Sequence, residues 1–412
     1  MKKRILLIGY NYFPEPTGIG KYSGEMIQWL AAAGYTCEVI TAYPYYPFWK
    51  VQEPYYAKRF GYHTESYNYA SGGSITVHRC PMYIPEKPTG LKRMLLDLSF
   101  SISAFFKVVQ LSFGQRFYNV LAVAPSFQFG LLGVVYKKIK GAKLIYHVHD
   151  MQIEVAQDLK MIKSKSVIDL LFKVERYIFN ESDIVSSISE QMVSRIKAKA
   201  KKDVLLFPNW VDNAKFFPLK NKESLKEIFG FAPTDKIILY SGGIGEKQGL
   251  EAIVYAAKEF VQRPEVKFLI CGSGPYKENL MALVSEMGLP NIVFFPLQPV
   301  EKFNSFLNMA DLHLVIQKAN ASDLMMPSKL TTILAVGGLA LITANEGSGL
   351  HTLIQKYQVG ILAEAENQKA LNEALRYALE RPTDDLRLNA QQYAERYLFI
   401  DKIMLEFVRQ LD

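Results

Sequence analysis

The stretch Lys236-Ile237-Ile238-Leu239-Tyr240-Ser241-Gly242-Gly243-Ile244-Gly245-Glu246-Lys247-Gln248-Gly249 decides the architecture. Its opening run is apolar without alternation, which is how a strand buried on both faces reads. Glycines at 242, 243 and 245 then break the run, and a helical stretch follows from about Gly249 to Gln262. Strand, tight turn and helix make the leading part of a βαβ unit, so the sheet they enter is parallel.

The same unit recurs in both directions. Downstream, strands are expected at Lys267–Cys271, Ile292–Phe295, Leu312–Val315, Leu339–Thr343 and Val359–Leu362. Helical segments near Tyr276–Met287, Val300–Met309 and Ser328–Val336 separate them. Upstream, strands are expected at Arg4–Gly9, Thr36–Thr41, Ser74–Arg79, Asn119–Ala124, Lys143–His147, Ile184–Ser187 and Val204–Phe207. A helix from about Gly20 to Ala33 ends at Gly34, the residue type that suits a left-handed cap. Two doubly wound α/β halves accommodate this order, with a junction near Pro208–Leu219. The segment from Leu386 to Leu411 reads as one or two helices, and Tyr43–Tyr69, with eight tyrosines, as an ordered loop.

Length agrees, since 412 residues exceed one ordinary domain. A composition 49% hydrophobic and 21% charged excludes a disordered or fibrous chain. The net charge of +8 is unevenly spread: residues 1–200 carry 25 Lys+Arg against 15 Asp+Glu, and the remainder 23 against 25. A basic half suits nucleic acid, an anionic membrane or a phosphorylated substrate. Its cations are scattered or grouped around apolar helices and form no recognised nucleic-acid module, so no nucleic-acid partner is expected.

Three distant cysteines, Cys37, Cys80 and Cys271, suggest neither a disulfide framework nor a zinc site. The basic start followed by only five apolar residues reads as a first strand, not a leader, and a cytoplasmic protein is expected. Phe117–Tyr136 is uncharged for twenty residues, yet Pro125 interrupts it, so it reads as strand, turn and helix. Leu91–Arg116 is a basic, aromatic-rich helix. Such a helix either packs in a core or lies in a bilayer interface, and contact with an anionic membrane through residues 87–116 is expected.

Several segments carry chemistry. After the first strand comes Asn11-Tyr12-Phe13-Pro14-Glu15-Pro16-Thr17-Gly18-Ile19-Gly20-Lys21-Tyr22, whose glycines open a helix. Unpaired N–H groups there favour an anion or a sugar oxygen, although a purely structural turn reads the same way. It is neither a P-loop, which needs glycine where Glu15 stands, nor a dinucleotide fingerprint, which needs one where Ser23 stands. His149 and Asp150 end a strand, where doubly wound folds place their sites. The pair suits proton transfer or sugar hydroxyls, against a satisfied structural histidine, and further clustered metal ligands are lacking. Around the opening stretch, Lys247 beside close-approach glycines suits a diphosphate. Cys271-Gly272-Ser273-Gly274-Pro275, Phe295-Pro296-Leu297 and Pro327-Ser328-Lys329-Leu330 supply three more such segments. Four in one half favour a nucleotide-diphosphate site over ordinary turns.

In this order the motifs resemble the family 4 glycosyltransferases of the GT-B fold. The likeness includes "CGSGP", "MADLHLV", "PSKLTTILAVGG", Ile188–Met192 and Phe207–Asp212. The opening "NYFPEPTGIGKYSGEM" and "GEKQGLE" are similar to the branch that builds colanic acid and O-antigen, bacterial surface polysaccharides. The resemblance implies two Rossmann-like doubly wound domains facing across a cleft. Residues 1–207 would bind the acceptor, 208–385 the nucleotide sugar, and 386–412 would cross back to the first domain. It implies a retaining transferase moving a hexosyl or deoxyhexosyl group from a nucleoside-diphosphate sugar to a lipid-linked saccharide, without a metal or other cofactor, at the inner face of the membrane. Lys247 would contact the diphosphate and act with His149 and Asp150 in catalysis. Ser241, Gly242, Gly243, Gly272, Ser273, Gly274, Asp323, Ser328, Lys329, Leu330 and Thr332 would surround the donor, with Pro296 and Leu297 at its base. Thr17, Gly18, Gly20 and Lys21 would line the acceptor side.

Three positions depart from the family. Gly243 stands where many relatives place an arginine, and Leu324 and Thr332 stand where they place two glutamates. Asp323 is a substitute for the first of these. The departures leave a nucleotide-sugar-binding protein without transferase activity as the rival reading. A nicotinamide-dependent oxidoreductase lacks its fingerprint and acidic partner.

Overall fold

The computed structural model describes residues 4–16, 18–158, 164–319 and 327–411, with only the backbone of 155, 156, 158 and 247. The chain divides into two compact units, Met1–Pro208 with Phe407–Asp412, and Asn209–Glu406.

In the first unit the strands are β1 (Arg4–Ile8), β2 (Thr36–Ala42), β3 (His63–Asn68), β4 (Ser74–Cys80), β5 (Asn119–Ala124), β6 (Lys143–Val148), β7 (Ile184–Ser187) and β8 (Val204–Leu206). They form one sheet in the order β3-β4-β2-β1-β5-β6-β7-β8. All neighbours are parallel except β3, which runs antiparallel to β4 at the edge. Helices cover both faces, so β5 is buried at every position and the alternation of a half-exposed strand disappears. The order reverses between β1 and β5, which pair directly, and the crevice at such a reversal is where ligands bind in open α/β sheets.

The second unit holds β9 (Lys236–Ser241), β10 (Val266–Cys271), β11 (Ile292–Phe295), β12 (Leu312–Val315), β13 (Ala340–Thr343) and β14 (Ile361–Ala363). Their order is β11-β10-β9-β12-β13-β14, all parallel, with the reversal between β9 and β12. Both units are thus Rossmann-like.

Three local expectations meet a structural outcome. The uncharged stretch Phe117–Tyr136 supplies β5 and the start of the helix Gln128–Lys140, so it crosses nothing. The first helix, Gly18–Ala32, stops where Gly34 takes φ +85°, a backbone shape that costs glycine no Cβ clash. The last segment forms two helices, Asp384–Tyr397 and Ile400–Arg409. They are interrupted where the Val211 amide donates to the Leu398 carbonyl and the Ile400 amide donates to that of Val211. The return of the chain comes later than the expected residue 386. Ala390 and Ala394 are buried in the core that also takes Leu330 and Leu334, so that helix stays in the second unit. Only Phe407 onward joins the first, where its ring stacks on Phe207 at 4.3 Å.

Candidate functional site

In the first unit the loop after β1 closes over a buried carboxylate. Glu15 Oε1 accepts from the amides of Tyr45 (3.1 Å) and Tyr46 (3.0 Å), and Oε2 from Asn11 Nδ2 (2.8 Å). This ties the loop to the start of the tyrosine-rich segment. Gly20 is obligatory for the closure, because a Cβ there would stand 2.5 Å from Glu15 Oε2. Gly18 sits at φ +60° and is exposed. Lys21 lies 3.9 Å from Glu25, one turn on in the same helix. Thr17 lies outside the described residues.

Burial raises the Glu15 pKa to about 7, against three hydrogen bonds and the Arg79 charge, which favour the anion. The folded chain therefore holds more protons than the unfolded chain between pH 4.5 and about 7, and Glu15's contribution to stability falls as pH rises through that window. Asp97 behaves likewise up to about pH 6. Glu15→Gln is expected to keep the loop, since an amide oxygen still accepts from both tyrosine amides. Relative to wild type it should flatten the fall in stability between about pH 6 and 7, by at most about 1.4 kcal/mol per pH unit. Urea-unfolding midpoints across that range check it; parallel wild-type and variant curves would refute the assignment.

His149 follows β6, is buried, and is lowered by desolvation to about 4, so at neutral pH it is an uncharged imidazole. Its ring stands edge-on to His147, 4.5 Å between centroids. His147 is held by Ser186 (Nδ1 to Oγ 2.9 Å) and packs on Phe207. A neutral histidine at a strand end can exchange hydrogen bonds with sugar hydroxyls. Asp150 is the next residue, at the exposed end of the strand.

The sequence reading missed a second buried acid beside this histidine loop. Asp97, in the helix Gly90–Ser112, accepts from Gln152 Nε2 at 3.0 Å and bonds the Tyr10 hydroxyl. Burial raises its pKa to about 6. The signal was available, because Asp97 is the single acid in twenty-three otherwise apolar, basic or uncharged residues.

In the second unit the glycine turns after β9 and β10 are stitched together. The Gly242 amide donates to Cys271 O (3.0 Å), that of Ile244 to Ser273 O (2.9 Å) and that of Tyr276 to Ile244 O (3.2 Å). A Cβ on Gly272 would stand 2.0 Å from Gly242 O, and one on Gly274 2.1 Å from Ile244 O. These glycines are thus demanded by backbone contact. At Gly243, by contrast, an added Cβ meets nothing within 4 Å. The backbone of Lys247 lies in the single turn Glu246–Gln248. Pro296 follows β11, its carbonyl accepting from Cys271 Sγ (3.4 Å), and Leu297 is exposed.

The helix Ser328–Ala335 brings Lys329 to the same turns. Its Nζ sits 3.9 Å from the Tyr240 ring centroid and 3.0 Å from where a Gly242 Cβ would be. Tyr240 in turn donates its hydroxyl proton to Gly243 O at 2.6 Å. Desolvation lowers the Lys329 pKa to about 7. Thr332 donates to the Lys329 carbonyl (2.9 Å), and Leu330 is core. Ser241, Gly242, Gly243, Gly272, Ser273, Gly274 and Lys329 are therefore gathered at the C-terminal ends of β9 and β10. Asp323 lies outside the described residues. A cavity of about 160 Å³ adjoins the turn, lined by Gln248, Gly249, Gln317, Lys318, Thr343 and Glu366. Among the described residues no three His, Cys, Asp or Glu side chains converge as metal ligands would.

Comparison with known proteins agrees with the motifs. Residues 17–210 match the model of a glycosyl transferase 4-like domain, and residues 221–397 that of the glycosyl transferases group 1. Over 420 aligned residues, covering 99% of each chain, the sequence is 39% identical to the putative colanic acid biosynthesis glycosyl transferase WcaI of Escherichia coli K12. Among solved structures, sucrose-phosphate synthase from Thermosynechococcus elongatus shares the fold at TM-score 0.73 and 17% identity, covering 99% and 98% of the two chains. The Anabaena protein HepE, solved with UDP and glucose, does so at TM-score 0.67 and 13% identity over 99% of both. The fold is GT-B.

Proposed function

We propose, on the premise that the chain belongs to the group 1 glycosyl transferases, that it moves a hexosyl or deoxyhexosyl group from a nucleoside-diphosphate sugar to a hydroxyl of a polyprenyl-linked saccharide. The Escherichia coli relative, named for colanic acid biosynthesis, supports a place in bacterial surface polysaccharide synthesis. The observation that carries the donor assignment is the Lys329 amine held at Gly242, beside the two stitched glycine turns. It supplies the cation that Gly243 does not.

The reaction breaks the bond from the sugar's anomeric carbon to the diphosphate and forms one to the acceptor oxygen on the same face. The acceptor proton passes to the departing diphosphate, so configuration is retained and no enzymic nucleophile is needed. Negative charge grows on the leaving group; Lys329 and the N-terminus of Ser328–Ala335 stabilise it without a metal, together with Lys247 in the role the family resemblance implies. Neutral His149 hydrogen-bonds the transferred sugar, Asp150 lies beside it, and the Gly18–Gly20 loop with Thr17 and Lys21 receives the acceptor. The enzyme works at the inner face of the cytoplasmic membrane, touching it through residues 87–116. Asp323 takes the place of the family's first glutamate.

Two departures, Gly243 and Thr332, favour the second reading, a protein that binds nucleotide sugars without transferring them. Thermal-shift screening against UDP-, GDP- and dTDP-sugars, followed by transfer of a radiolabelled sugar, separates the two. Lys247→Ala is expected to cut turnover about a hundredfold with the melting temperature unchanged; near-normal transfer would sink the role given to it.

A further inference from the structure

His149 and Asp150 follow the C-terminal end of β6, and the N-terminal ends of the same parallel strands carry a different surface. There a cavity of about 540 Å³ opens, lined by Arg116, Asn119, Lys137, Lys138, Lys143 and Asp183 among others. Asn119 and Lys143 are the first residues of β5 and β6, Arg116 precedes β5, and Lys137 and Lys138 stand in the last turn of the helix Gln128–Lys140. Among the described lining residues, four cations from three segments thus face one space that has a single carboxylate on its wall.

Local structure accounts for two of the four. Basic side chains in a last turn complement the helix dipole, and both are also paired. Lys137 Nζ donates at 2.7 Å to Asp183 Oδ2, which accepts from the Leu144 amide as well, and Lys138 lies 3.6 Å from Glu181. Arg116 and Lys143 have no such reason. Arg116 donates to the Gly141 carbonyl and stands 5.5 Å from the Tyr118 ring, and Lys143 donates to the Gln410 carbonyl at 2.6 Å. A carbonyl accepts the hydrogen bond but leaves the charge, and among the described residues neither cation has a carboxylate within 4.0 Å. Asn119 adds an independent sign. It is 5% exposed, and its Oδ1 meets no donor among the described residues. A buried amide oxygen without a donor is unfavourable, and a partner brought by a ligand removes that cost.

We infer that this cavity is a second ligand site, one that takes a saccharide carrying a carboxylate or phosphate group. The anion answers the two cations that lack a carboxylate, and a hydroxyl, which both donates and accepts, answers the Asn119 amide. A bare inorganic anion leaves the amide unanswered, and a neutral sugar leaves the cations so. The volume is that of a small-molecule site. The six residues of β6 separate Lys143 from His149, about 20 Å at 3.3 Å per residue, so the bound saccharide is neither the donor nor the reacting acceptor. All the lining residues belong to the first unit, and the site does not depend on the transfer reading. A carboxylate would come from an acidic polysaccharide fragment and a phosphate from a sugar phosphate.

Isothermal titration calorimetry of the full chain tests it, with glucuronate, glucose 6-phosphate, glucose and inorganic phosphate as probes. At least one of the two anionic sugars is expected to bind about tenfold or more tightly than glucose or phosphate. A preference for glucuronate marks the polysaccharide fragment as the source, and a preference for glucose 6-phosphate the sugar phosphate. Arg116→Gln with Lys143→Gln should weaken that binding by about tenfold or more, and melting temperatures confirm that the variant folds. Asn119→Ala should narrow the preference over inorganic phosphate. Lys329→Met, at the donor turns, should leave binding of the probe unchanged. Undiminished binding by the Arg116 and Lys143 pair, or loss of binding in Lys329→Met, would put the sugar elsewhere and overturn the site. Equal binding of inorganic phosphate, or no binding of either anionic sugar, would overturn the saccharide. Donor-induced thermal shifts are read without these probes, so failure here and failure of the glycosyl-transfer reading are distinguishable.

Discussion

Lys329→Met should lower sugar transfer about a thousandfold, the upper range for removing one preorganised charge from a developing anion. The side chain meets the Tyr240 face and the Gly242 turn, and among the described residues it forms no ion pair with an acid. Its pKa of about 7 gives the prediction a second readout. The folded value lies below the unfolded 10.5, so between about pH 7 and 10.5 the unfolded chain carries more protons and this residue's contribution to stability rises with pH. A diphosphate placed beside the amine reverses the shift, so donor binding should take up a proton near pH 8. Affinity should then fall as pH climbs past 7, by no more than about tenfold per unit. Calorimetry of donor binding in buffers of different ionisation enthalpy measures that proton, and in the methionine variant it should vanish. If Lys329 does the work that relatives give an arginine at the Gly243 position, Lys329→Met with Gly243→Arg should recover part of the lost rate. An unchanged rate in the single variant would refute the role.

Gly272→Ala is expected to cost both stability and donor binding. The added methyl would sit 2.0 Å from a backbone oxygen, not from a side chain that can rotate away, and Ile244 Cγ1 closes the other side at 3.0 Å. The two turns must part, weakening the Gly242–Cys271 and Ile244–Ser273 hydrogen bonds. Overpacking and two weakened bonds together cost about 3 kcal/mol, or roughly 8 °C in melting temperature for a unit of this size. No nucleotide sugar should then raise the melting temperature. Gly243→Ala is the internal control, since open space surrounds that position, and it should melt like wild type. If both substitutions behave alike, the stitched turns are not what shapes the donor site.

Much of this was legible in the sequence, because parallel strands covered on both faces must be continuously apolar and their turns rich in glycine. The strand of the opening stretch and its glycine turn lie where the reading put them. What escaped has a physical reason. β3 (HTESYN) sits at a sheet edge with most of its side chains in water, so it carries no burial pattern and was absorbed into the tyrosine-rich loop. The break at Leu398–Phe399 comes from a bridge to Val211, nearly two hundred residues away, which no local pattern contains. At the site, the glycines were readable as close-approach points, but their partners were not. Glu15 looks like one more loop acid between two prolines until the Tyr45 and Tyr46 amides converge on it from another segment. Lys329 was legible as part of a helix start, yet only the fold brings its ammonium to Gly242, which has no cation of its own. Lys21 pairs within its own helix, an arrangement that the spacing to Glu25 already contained.

The basic half of the chain also takes a definite form. The helix Gly90–Ser112 is half core and half surface, where composition alone left core and bilayer as alternatives.

Sugar transfer from a nucleotide donor to a lipid-linked acceptor can be followed in one assay. Wild-type protein is incubated with membrane lipid extract and the radiolabelled form of whichever nucleotide sugar raises its melting temperature. Label is expected to move into the butanol-extractable lipid fraction with the anomeric configuration of the donor retained, in chelator as in magnesium, and almost none with Lys329→Met. A donor that binds tightly while all label stays on the nucleotide, across extracts that support other transferases, would contradict it and leave a nucleotide-sugar-binding protein in its place.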